Sequence, residues 1–344
     1  MQSTNKNRIM FKGVTFGYYA RNGYLSSQDA RDEVDKIASL HIPWVCLVVT
    51  VMEESFCSTR QFRDFYMTPG DDELLDIIGY MHEKGIRVML RPMLECWDGT
   101  QRYQIHLPEG AIFPDRPYHY RTQWFANYEH LTRHYCRIAS RTGCEGYCLD
   151  SELNQLATAS QDWLKIVDAV RNSFKGHLTS SFIRVEQFLP QMEADSNFWF
   201  YALDSIGSSH YYPTSANGGG TVEDMVAYLQ PTVQKIAAFA KAYGKPYYFG
   251  ETGCAAMINA SRRPASWLDD PMHPGYDGQE QANYIEAIIR SYAAQPWWHG
   301  FFLWKWDEHN YREQFHNDPA GDKGFTIYGK PAAQVLKRWC DNDI

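Results

Sequence analysis

Short apolar runs and amphipathic helical stretches alternate along the whole chain, and this alternation restricts the fold more than any other feature. The apolar runs are GVTFGYY (13–19), WVCLVVTV (44–51), IRVMLRPML (86–94), GYCLDSE (146–152), HLTSSF (177–182), SIGSSHYYP (205–213), PYYFGE (246–251) and GFFLWKWD (300–307). WVCLVVTV has no polar alternation, so it reads as a strand buried on both faces. Between the runs lie helical patterns at 26–40, 71–85, about 122–140, 161–174, 221–244, about 279–294 and 330–340. Leu74, Ile77, Ile78 and Met81 form one stripe, as do Trp163, Ile166, Val167 and Val170. Ser26 with Asp29 and Thr221 with Asp224 resemble capping boxes. Pro231 is expected to kink or split the helix that contains it.

Strands alternating with helices imply parallel pairing through helical crossovers. Eight such units, with no linker or composition break, predict a single (β/α)8 TIM barrel of class α/β. One catalytic domain spanning 1–344 is expected.

The net charge of -8 and pI near 5.8 argue against a nucleic-acid partner, which calls for a basic surface. No apolar run approaches the ~20 residues that cross a bilayer, so no membrane association is expected. The opening stretch MQSTNKNRIMFKG has no apolar signal core. A cytoplasmic protein is therefore expected, unless a leader was trimmed. Of eight cysteines, Cys46, Cys96, Cys136, Cys148 and Cys340 lie in or beside apolar segments, the pattern of buried free thiols. Cys144 and Cys148 sit along one extended segment, too far apart to bridge. A reducing compartment fits.

Two carboxylates stand where buried strands end. Glu152 closes the fourth run and Glu251 the seventh. In (β/α)8 enzymes the active site lies at the C-terminal ends of the strands, so both would open on one face. Paired carboxylates across a cleft suit glycosidic bond hydrolysis: one protonates the leaving oxygen, and the other attacks the anomeric carbon or activates water. Each alone could equally be a solvated or ion-paired carboxylate. Glu95 is a rival, read as lying in a loop, and Asp150 is read as structural.

The motifs resemble those of the clan of retaining β-glycosidases, with GYCLDSELNQ similar to the acid/base segment and PYYFGETG to the nucleophile segment. GFFLWKWD looks like the segment bearing the clan's sugar-platform tryptophan. Within that clan, the chain most resembles glycoside hydrolase family 113, the β-mannanases, over most of its length and into the terminal YGKPAAQVL. The resemblance implies Glu152 as acid/base, holding a proton near neutral pH, and Glu251 as an ionised nucleophile. It implies a sugar platform at Trp304, with Trp306 read equally as platform or core. Tyr211 or Tyr212 would steady the nucleophile. Arg91 would pair with it or bind a hydroxyl, and Trp97 would line a subsite or simply pack. The clan usually places Asn before the acid/base; here it is Ser151, a departure that favours the mannanase family and leaves the contact to the sugar 2-hydroxyl open.

Gly218-Gly219-Gly220 could cradle a phosphate but reads better as a flexible loop. No metal-ligand motif appears, and neither metal nor cofactor is expected. The partner expected is an oligosaccharide or polysaccharide. Other β-glycans, or a non-catalytic sugar-binding barrel, are the alternatives.

Overall fold

Eight strands close on themselves in the computed structural model, which describes residues 9–108, 119–265, 275–308, 315 and 318–342. They are β1 (Phe11–Phe16), β2 (Trp44–Glu53), β3 (Arg87–Cys96), β4 (Gly146–Ser151), β5 (His177–Ile183), β6 (Ile206–His210), β7 (Tyr247–Thr252) and β8 (Trp298–Leu303). Each pairs in parallel with the next. β8 returns to β1, with Phe11 opposite Gly300 and Val14 opposite Leu303. A two-residue strand, Gln61–Phe62, adds antiparallel to the end of β2.

The crossovers carry α1 (Gln28–Ser39), α2 (Asp71–Glu83), α3 (Tyr120–Thr142), α4 (Ser160–Ser173), α5 (Leu189–Ala194), α6 (Val222–Tyr243), α7 (Gly278–Tyr292) and α8 (Pro331–Cys340). This is a (β/α)8 barrel. The predicted stripes of α2 and α4 are the buried ones.

The local differences have physical causes. The N-cap of α1 is Ser27 rather than Ser26, and its hydroxyl accepts from the Ala30 N–H at 3.2 Å. The Thr221–Asp224 box forms as expected. Pro231 does not split α6, because buried Met225, Leu229, Val233 and Ile236 run on across it. Burial of that stripe outweighs one missing backbone hydrogen bond. α5 has no counterpart in the helical pattern; it is a six-residue helix with Pro190 in its first turn.

The lower half of the barrel interior is an apolar plug of Phe11, Trp44, Cys46, Met89, Cys148, Tyr248 and Phe302. All eight cysteines are free. Above the plug the interior turns polar and charged.

Two register shifts matter at that upper end. Cys148 and Ser151 on β4 face Thr179 and Ser181 on β5, three steps against two. Phe249 and Glu251 on β7 face Ser208 and Ser209 on β6, two steps against one. Each strand therefore carries one extra residue just short of a glutamate. Such bulges re-aim the side chains that follow them. In β7 the extra residue is Gly250, where a Cβ would fall 2.1 Å from Ser181 Oγ. No residue with a side chain fits there without moving β5.

Candidate active site

Glu251 is the next-to-last residue of β7 and points into the upper barrel, almost wholly buried. Glu152 follows the last residue of β4. Its φ of 61° lies in the left-handed region, costly for a residue with a Cβ. Its N–H donates to Ser181 O at 2.8 Å, which helps to hold that conformation. Strained backbone of this kind concentrates at functional sites.

The Glu251 carboxyl is gripped on both oxygens. Arg91 Nη2 donates to Oε1 at 2.8 Å, and Tyr211 OH donates to Oε2 at 3.1 Å. Arg91 is itself 1% exposed and also donates to Gly250 O and Ser151 Oγ. It thus ties β3, β4 and β7 together beneath the cleft. Burial first, and then the charge of Glu152, push the Glu251 carboxyl up to about 7, against the pull of Arg91, Arg102 and the Tyr211 hydroxyl.

Glu152 has different neighbours. Arg102 Nη1 donates to its Oε2 at 3.1 Å, and Ser209 Oγ meets its Oε1. Arg102 is shared with Glu95, to which its Nη2 donates. Glu95 lies on β3 rather than in a loop, because that strand runs two residues beyond the apolar stretch. Asp150, two residues before Glu152, is fully buried, and burial pushes its carboxyl well above the usual range.

Both oxygens of Glu251 face groups that donate. Glu152 Oε1 faces a serine hydroxyl, which can donate to a carboxylate or accept from a protonated carboxyl.

Both glutamates line a cleft of about 840 Å³ at the C-terminal face of the barrel. Trp304 and Tyr211 line it too, and Trp304 stands edge-on to Tyr18 with ring centroids 5.0 Å apart. Trp306 does not reach it. Its indole N–H donates to Glu33 Oε2 at 2.8 Å on α1, and the residue is fully buried. Two-residue alternation does not extend to it because β8 ends at Leu303.

Tyr212 also turns away: its hydroxyl donates to Glu186, and Arg184 covers its ring at 5.1 Å. Ser151 and Arg91 lie beneath the cleft rather than along it. Trp97 is 55% exposed and lines a separate cavity of about 220 Å³, which shares Tyr18 with the cleft. The glycine run is tied down rather than free: Glu280 accepts from Gly219 N, Asn259 N and Ser261 N, occupying the backbone donor at Gly219.

Arg102, Tyr18 and Ser209 were not singled out from the sequence, nor were the amides of Asn154, Gln155 and Gln187 that line the far wall. The Asn-Gln pair directly after the fourth strand was an available signal. Arg102 had none, since it lies in a single short turn, Arg102–Gln104. Among the described residues, no cluster of three or more His, Cys, Asp or Glu could hold a metal.

The family description Glycoside Hydrolase Family 113 matches residues 14–330. A solved family 113 β-mannanase from Alicyclobacillus acidocaldarius in complex with ManMIm is 28% identical, with a TM-score of 0.81 over 97% of this chain and 98% of that one. A family 113 β-1,4-mannanase is 26% identical, with a TM-score of 0.83 over 97% and 99%. A family 5 mannosidase from Rhizomucor miehei, 12% identical at a TM-score of 0.63, shares the fold alone. No curated protein matches the chain.

Proposed function

The chain belongs to glycoside hydrolase family 113, and from that premise we propose that it cleaves β-1,4-linked mannan or manno-oligosaccharides with retention, using Glu152 and Glu251. That it is a mannanase-like glycoside hydrolase follows from the family itself. The bond cleaved and the residues responsible are our reading.

The observation that carries this reading is that Glu152 and Glu251, at the ends of β4 and β7, line one cleft, each held by an arginine and a hydroxyl. Glu251 is held by Arg91 and Tyr211, both of which favour its ionised form. In this reading Glu152 supplies the proton to a bound glycosidic oxygen, its Oε1 being held by Ser209 Oγ. In the first step a Glu251 oxygen attacks the anomeric carbon, and the bond to the leaving oxygen breaks as that oxygen takes the proton from Glu152. A glycosyl ester on Glu251 results. In the second step ionised Glu152 takes a proton from water, the water oxygen attacks the same carbon, and Glu251 is released. Trp304 and Tyr18 offer aromatic surface to the sugar, and the Gln155 amide can pair with its hydroxyls.

The test is a comparison of chain series. β-1,4-linked manno-oligosaccharides should be cleaved faster than cello- or xylo-oligosaccharides of equal length. A gluco series that wins would remove the mannan assignment while leaving the two-glutamate chemistry standing.

A further inference from the structure

Arg102 is one cation held between two carboxylates. Its Nη1 donates to Glu152 Oε2 at 3.1 Å, and its Nη2 donates to Glu95 Oε1. Its Nε donates to Leu94 O at 3.2 Å, which fixes the plane of the guanidinium. The residue is 9% exposed, so water cannot readily replace these partners. Glu95 is held in turn: Tyr18 OH donates to its Oε1 at 3.0 Å, and the Tyr18 ring lies 5.8 Å from the Arg102 guanidinium carbon. The chain Tyr18–Glu95–Arg102–Glu152 thus joins the loop after β1, the end of β3, the turn Arg102–Gln104 and the end of β4.

An arginine against a general acid is awkward. It orients the carboxyl, but it also favours the ionised form, which has no proton to give. Glu95 answers that difficulty by taking up part of the same positive charge. We infer that Glu95 and Arg102 are positioning residues that together set the pH window of hydrolysis, Arg102 by fixing the Glu152 carboxyl and Glu95 by offsetting the charge that would strip its proton. This rests on the acid/base reading of Glu152.

Among the described residues, other titratable groups whose charge bears on Glu152 are Glu251 from β7, Tyr211 just after β6 and Asp150 from β4. Arg91 of β3 is committed to Glu251. Burial raises both the Tyr211 phenol and the Asp150 carboxyl well above their usual ranges. Among the described residues, the charged partners nearest Glu152 are Glu251 and the Glu95–Arg102 pair, and Arg184 lines the same cleft.

The experiment is a set of pH profiles of kcat/KM on a manno-oligosaccharide and on an aryl β-mannoside with an activated leaving group. Glu95→Gln keeps the side-chain shape and removes the counter-charge. On the oligosaccharide its alkaline limb should move down by about one pH unit, so that the rate above the limb falls about tenfold. On the activated mannoside, which needs no proton for departure, its profile should overlay that of the wild type. Arg102→Met should move the limb the other way, and Arg102→Lys should return it toward the wild type. Displacements of opposite sign are not what general structural damage produces, and melting temperatures recorded beside them show which variants fold. Should Arg102→Met fail to fold, Glu95→Gln and Arg102→Lys decide the matter.

A Glu95→Gln limb that coincides with the wild type on the oligosaccharide, or one that moves equally on both substrates, overturns the inference. Glu152→Ala, run in parallel, separates the two possible failures. A loss confined to the oligosaccharide keeps the acid/base reading, whereas an equal loss on both substrates removes that reading and this inference with it.

Discussion

The two glutamates each sit against an arginine, yet the two corners of the cleft are built differently. Arg91 has Glu251 as its carboxylate partner and is buried to 1% exposure, with Gly250 O and Ser151 Oγ taking further donors. Arg102 divides itself between Glu152 and Glu95. The first arrangement pulls a buried carboxyl toward its charged form against the opposing effect of burial; the second orients a carboxyl with a cation that it shares with another carboxylate. A nucleophile calls for the first, and a group that must give and then take a proton calls for the second. Glu53, at the end of β2, supplies a third case. It too is buried, but among the described residues its carboxyl oxygens meet Gln61 and Trp124, and burial pushes its carboxyl up to about 8.

The largest effect should come from the nucleophile corner. Glu251→Ala removes the attacking group and leaves Arg91 without its counter-ion, and turnover should fall on the order of 10^5-fold. Added azide should restore part of the activity on an activated aryl mannoside and yield the α-glycosyl azide, since the small anion enters from the vacated face. Rescue that gives only free sugar would break the comparison at its stronger end.

Next in size is the acid/base corner. Glu152→Ala should slow hydrolysis of manno-oligosaccharides by roughly 10^2–10^4-fold. It should slow an activated aryl mannoside far less, because that leaving group departs unprotonated. If the two substrates suffer alike, Glu152 is not the acid.

The smallest effect tests the arginine-free case and is read in stability. The Glu53 carboxyl stands at about 8 rather than 4.5, so the folded state binds this proton more tightly than the unfolded chain. Its contribution is fully present below pH about 4.5 and is lost as pH rises through about 8, by roughly 1.4 kcal/mol per pH unit at most. Thermal unfolding of wild type and Glu53→Gln should therefore diverge on going from pH 5 to pH 8, with the wild type losing ground. Parallel curves would mean that Glu53 is already charged in the folded protein.

Much of this was legible in the sequence because it rests on local pattern. A buried strand shows as an apolar run and a helix as a stripe, so the barrel followed from their alternation. A carboxylate just after such a run is conspicuous, which is why Glu152 and Glu251 stood out. What the pattern does not carry is anything that depends on which residues meet across the barrel. The bulges in β4 and β7 are visible only against the registers of β5 and β6. Arg102 belongs to no periodic segment, and its meaning comes from Glu95 and Glu152, seven and fifty positions away. Tyr211 and Tyr212 are neighbours in sequence, yet only the first meets Glu251, while the second is drawn off by Glu186. Trp306 was equivocal because two-residue alternation holds only while a strand lasts, and β8 stops at Leu303.

The central claim is that Glu251 attacks the sugar directly while Glu152 handles the proton. Its most direct test is the anomeric configuration of the first-formed product, followed by proton NMR as wild-type enzyme acts on a manno-oligosaccharide. Double displacement predicts that the β-anomer appears first, with the α-anomer growing in only at the rate of mutarotation. An α-anomer formed first would mean single displacement by water, with Glu251 acting as a base, and would contradict the account.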